Sequence, residues 1–173
     1  MRINKIGVAY LTIVVLLAGF AAVLAGVVGA TPTRGAPADL IRPVVALVAL
    51  TAVVALLMGV YRNVAVIRGV VPARYFRDFS ADQPAGWVER PARAYMNLLE
   101  LPVLFYVVCL LMLTTGRFDS VQVALAWVFV AARCAHAFIH IAFNYVPLRF
   151  AAFVAGVVTL AVIWTRFAAQ NLS

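Results

Sequence analysis

LLELPVLFYVVCLLMLTT, residues 98–115, decides the fold. One carboxylate and one proline interrupt a run that is otherwise apolar and close to the roughly 20 residues needed to cross a bilayer. The polar helical stretch Glu89–Asn97 leads into it. Working outward, four more segments of similar length appear: Ile6 to Ala30, Pro43 to about Tyr61, Val121 to Val146, and Phe150 to Phe167. Short punctuated links join the last three, Gly116-Arg-Phe-Asp at one turn and Asn144-Tyr-Val-Pro-Leu-Arg at the next. The longest polar stretch, Arg62–Arg93, is the most densely charged part of the chain.

Composition places the chain in the same class. Hydrophobic residues make up 66% of its 173, charged residues 12%, and the mean hydropathy is +1.04. A soluble domain carries about twice that charged fraction. At this length it would have no interior large enough for so much apolar surface. The expectation is an all-α membrane protein, a bundle of spanning helices in a lipid bilayer.

The net charge of +8 does not point to nucleic acid. The arginines sit at the ends of apolar runs, without the basic surface and stacking aromatics such a partner needs. The positive-inside rule explains the excess. Arg2, Lys5, Arg62, Arg68, Arg74, Arg77, Arg90, Arg93 and Arg149 fall on one side; Arg34, Arg42, Arg117 and Arg166 fall on the other. The first side is expected to face the cytoplasm, with the N-terminus inside and the C-terminus in the periplasm of a bacterial inner membrane.

Residues 1–38 read as an additional N-terminal helix and linker, and 39–173 as a four-helix membrane domain. Val28-Gly29-Ala30 resembles a signal-peptide cleavage site, but the preceding run has the length of a spanning helix. We expect it to be retained; its removal would leave the remaining orientation unchanged. Cys109 and Cys134 lie inside apolar runs without metal or redox spacing and read as small apolar residues. The three tryptophans and most phenylalanines read as packing or interfacial belt.

Ionisable groups inside a span need a partner or a task. Arg93, Asn97 and Glu100 stand at i, i+4 and i+7, on one helix face. Arg133, His136, His140 and Asn144 stand at i, i+3, i+7 and i+11, again on one face, and Arg149 follows at the next helix start. A structural reading pairs Glu100 with Arg133 as buried glue between helices. That leaves the other polar groups gathered toward the Arg-rich end, where a pocket with three arginines and one glutamate would attract an anion. His136 and His140, at i and i+4, would suit a metal or axial haem ligation, yet no third Cys, Asp or Glu ligand lies near. No metal site is expected.

The stretch GWVERPARAYMNLLELP, residues 86–102, resembles the MAPEG family, the membrane-associated proteins in eicosanoid and glutathione metabolism. Arg93, Asn97, Glu100 and Pro102 match its R-x3-N-x2-E signature and the proline that follows. The region Arg133 to Arg149 resembles the family's third helix and the turn into the fourth. The resemblance covers roughly Leu40 to Phe167 and implies a MAPEG-like four-helix bundle, here with an extra N-terminal helix. It further implies a homotrimer that binds glutathione between subunits as co-substrate.

On that resemblance, Arg93, Asn97 and Glu100 would hold the tripeptide, Glu100 taking its ammonium group and the arginines its carboxylates. Arg133, His136, His140 and Asn144 would complete the ligand-binding set, and Arg149 would stabilise the thiolate as the catalytic residue. Where glutathione-using members often carry tyrosines on the third helix, this chain has His136 and His140. The implied activity is transfer of glutathione or a related thiol to hydrophobic electrophiles, or a peroxidase reaction. The alternative is a non-catalytic membrane protein holding a lipid or small anion in the same pocket. A transporter is disfavoured by the small size and the lack of inverted repeats.

Overall fold

A computed structural model describes residues 5–78 and 86–172. They form six helices: α1 (Lys5–Val28), α2 (Pro37–Ile67), α3 (Ala73–Asp78), α4 (Gly86–Thr115), α5 (Ser120–Ala142) and α6 (Val146–Leu172). Among the described residues no strand is present, and five helices, all but α3, are long and apolar enough to span a bilayer. The chain is an all-α membrane protein.

Several boundaries differ from those expected. α2 extends beyond Pro43–Tyr61 at both ends: Pro37 occupies its first turn, where a missing N–H costs nothing, and Asp39 caps the Ala36 amide. It continues through Arg62 and Asn63 until Gly69 takes a left-handed φ of 67°. The polar stretch and the apolar run of α4 form one continuous helix. α5 stops at Ala142 rather than Val146, because Asn144 adopts φ 50° and returns its amide to the Ile139 carbonyl at 2.7 Å. The short polar side chain of asparagine tolerates that conformation. α3 was not expected at all; one turn and a half is too short to show a period.

α2, α4, α5 and α6 make the bundle. Leu40, Leu47 and Val54 on α2 repeat every seven residues, as do Leu98, Phe105 and Met112 on α4, and all are buried. A seven-residue repeat keeps a seam facing its neighbour along the helix. Phe105 stacks on Phe129 of α5 with centroids 4.7 Å apart. Between apolar helices in lipid, such close packing drives association, since lipid tails are as apolar as leucine. α1 lies against α6 and α5, with Leu24 and Val27 touching the core and no buried residue in its span.

Two polar clamps hold this arrangement. At the end opposite the arginine-rich loop, Asp119 caps α5: its carboxylate accepts the Gln122 amide at 3.0 Å, and Gln122 reciprocates to the Asp119 amide at 3.0 Å. The second carboxylate oxygen takes Arg166 Nη2 at 2.9 Å and Gln170 Nε2 at 3.0 Å from α6. Next to it, Ser120 exchanges bonds with Thr33, fastening the α1–α2 linker to the same turn.

The other clamp is Arg133. It is 1% exposed, and its Nη2 donates to the Ala152 and Phe153 carbonyls of α6 at 3.3 and 3.2 Å. The guanidinium lies 5.7 Å from the Phe129 ring centre and 5.3 Å from that of Phe153. Gly156 makes the room: a Cβ there would lie 2.5 Å from Nη2 and 2.9 Å from Nε.

These clamps yield two expectations for thermal unfolding in detergent. Gly156→Ala forces the held guanidinium off its carbonyls and should destabilise by about 1–3 kcal/mol; an unchanged Tm would mean that Arg133 is free to move. Asp119→Ala removes the cap and the anchor of Arg166 and should cost about 1–2 kcal/mol, whereas equal stability would show the network to be ornamental.

Candidate functional site

Arg93, Asn97 and Glu100 lie on one face of α4, from its third turn to its middle. His136 and His140 come from the last two turns of α5, and Arg149 from the first turn of α6. All six line one cavity of about 410 Å³, with Phe153 also in its wall. Its mouth carries exposed Met96 (60%) and Phe150 (56%), and Glu100 is also exposed. Three helices therefore bring six of the eight sequence-predicted site residues together.

Arg149 organises this wall. Its Nη1 donates to Asn144 Oδ1 at 2.6 Å, a charge-assisted bond made available by the left-handed turn at Asn144. Its backbone carbonyl lies 3.1 Å from His136 Nδ1. A carbonyl oxygen can only accept, so the proton of a neutral His136 sits on Nδ1 and its Nε2 carries a lone pair. His140 meets His136 edge to face at 5.8 Å. Both rings are nearly fully buried, with His136 Nε2 and His140 Nδ1 lacking protein partners. On α4, Asn97 Nδ2 donates to the Arg93 backbone carbonyl at 2.8 Å, and the side chain of Arg93 is exposed.

Arg133 and Asn144 fall outside this cavity. Arg133 points along α5 into α6, where two carbonyls hold it, so it is a packing group and does not pair with Glu100. The i, i+3 spacing placed it on the histidine face, but a long side chain can leave that face for a neighbouring helix. Asn144 supports Arg149 and faces a second, smaller chamber.

That second chamber, about 270 Å³, lies between α3, the start of α4 and the end of α5. Tyr75, Glu89 and Arg90 line it with Asn144, and Arg93 and His140 are shared with the larger cavity. Tyr75 packs with Ala65, Val71 and Val88, and its hydroxyl approaches Glu89 Oε1 at 3.5 Å. Burial, and next the Glu89 carboxylate, push the Tyr75 phenol above its ordinary range, so it remains a donor. Arg90, read in the sequence only as one of the orienting arginines, stands three positions before Arg93 on the same helix face, a spacing that could have marked it; Tyr75 had no such signal, because nothing local announced α3. Among the described residues, no group of three His, Cys, Asp or Glu side chains stands together as a metal site.

Set against known proteins, the chain matched no curated protein and no solved structure. The sequence profile of the MAPEG family matches residues 40–169, from the first turn of α2 nearly to the end of α6. α1 lies outside that match, while both chambers and every residue that lines them lie within it. A four-helix membrane bundle whose α4 carries Arg93, Asn97 and Glu100, matched over most of its length, belongs to the MAPEG family.

Proposed function

We propose that this protein is a membrane-bound thiol transferase or peroxidase that activates glutathione, or a related small thiol, in the larger cavity. The observation that carries the reading is the convergence of Arg93, Asn97, Glu100 and Arg149 from two helices on one cavity open at the bundle surface. Glutathione offers two carboxylates, one ammonium group and one thiol. Arg93 answers a carboxylate, Glu100 the ammonium group, and the Asn97 amide oxygen a backbone N–H of the tripeptide.

Arg149 acts on sulfur. A fixed cation favours thiolate over thiol and so raises the nucleophilic fraction at neutral pH. Asn144 holds one arm of the guanidinium, so its orientation is set before the ligand arrives. The S–H proton leaves for solvent, the thiolate forms a bond to the electrophilic carbon, and the displaced group or new anion takes a proton in return. The apolar residues at the mouth, Met96 and Phe150, suit an electrophile that arrives from the bilayer.

The exposure of Glu100 supports an assembly. A carboxylate in a spanning segment costs about 2.5–3.5 kcal/mol against lipid, so another polypeptide should cover the mouth. A homotrimer, as the family resemblance implies, would do so with a neighbouring copy. The loop arginines support a cytoplasmic location for the site. A second reading, a non-catalytic binder of a lipid or small anion, draws support from His136 and His140 standing where glutathione-using members often have tyrosine.

Arg149→Ala is expected to lower turnover of glutathione with a hydrophobic electrophile by about 10²-fold or more. The thiolate absorbance of bound glutathione should disappear, while the mass of the protein–detergent complex stays that of the wild type. An unchanged rate would remove Arg149 from the mechanism. A wild type that never turns over thiol would favour the second reading.

A further inference from the structure

The two chambers share part of their walls, and His140 stands where they meet. It lines both, as does Arg93. The ring is 4% exposed, and its buried Nδ1 has no protein partner. Among the described residues no hydrogen bond fixes its tautomer. His136 differs, because its Nδ1–H is spent on the Arg149 carbonyl, which can only accept. A proton taken up on His136 Nε2 could go no further. An unheld imidazole can accept at one nitrogen and release from the other.

Thiolate formation leaves a proton to be removed from the larger cavity, and most polar groups there cannot take it. Arg93 and Arg149 are cations, and the Asn97 amide is no base. Glu100 is occupied by the ammonium group in the thiol reading. The rim residues Met96 and Phe150 are apolar. A hydronium ion passing Arg93 meets like charge at short range, whereas a neutral base reaching both spaces does not. In the smaller chamber the half-buried Glu89 offsets Arg90 and gives a departing proton an acceptor.

We propose that His140 carries the thiol proton from the larger cavity through the smaller chamber to the aqueous phase at the arginine-rich end. This role rests on the thiol reading above. The S–H bond breaks with its electron pair left on sulfur, and an N–H bond forms on one imidazole nitrogen. The other nitrogen then releases its proton toward Glu89 and the water beyond, and the ring is neutral again. Arg90, Arg93 and Arg149 shorten the life of the imidazolium, while Glu89 and the new thiolate offset them.

The test mixes the full chain in detergent with glutathione in a stopped-flow cell. Thiolate absorbance and proton release to an indicator dye are followed together. In His140→Ala both should slow by about 10²-fold, and imidazole added to the buffer should restore them while leaving the wild type unaffected. His140→Gln fills the space with a group that carries no proton, and should be slow with or without imidazole. Glu89→Gln should slow proton release without lowering the final thiolate yield. His140→Ser replaces the alanine variant if that one does not fold. Wild-type speed in the His140 variants overturns the role, as does a slow alanine variant that imidazole fails to restore. A wild type that forms no thiolate overturns the thiol reading itself, and the carrier with it.

Discussion

The contact between α5 and α6 bears on every other feature of this bundle. Arg133 is a cation inside a spanning segment, and among the described residues its charge has no carboxylate partner. It is tolerated because two α6 carbonyls accept from it, two aromatic rings flank it, and Gly156 leaves space for it. These contacts set the spacing of α5 and α6 one turn beyond the histidines. Phe153, which flanks Arg133 on one side, also lies against His136 and lines the larger cavity.

From that contact the site follows in short steps. Once α6 is fixed against α5, the left-handed turn at Asn144 determines where Arg149 enters the first turn of α6. Asn144 then holds its guanidinium, and the Arg149 carbonyl selects the tautomer of His136. A single residue thus links the backbone turn, the imidazole and the cation proposed to act on sulfur. α4 contributes the opposing wall, where the regular spacing of Arg93, Asn97 and Glu100 keeps them on one face through the start of the span.

Much of this was legible in the sequence. Five apolar runs gave the spanning helices because bilayer thickness fixes their length, and polar residues at helical spacing gave two of the cavity walls. Less visible were features set by tertiary contacts. The departure of Arg133 into α6 depends on Gly156, more than twenty residues away, and helix periodicity carries no information about it. α3 and Tyr75 depend on a small cluster with Ala65, Val71 and Val88 rather than on any local pattern. The early end of α5 turned on one asparagine whose φ is positive.

The most direct test of thiol binding in the larger cavity is calorimetry of glutathione with the purified protein and with Glu100→Gln. Glu100 faces the open side and makes no contact that holds the bundle, so the variant should fold as the wild type does. The account predicts saturable binding that is lost, or weakened at least tenfold, when the carboxylate becomes an amide. Binding of equal strength in both proteins, or none in the wild type, would contradict it.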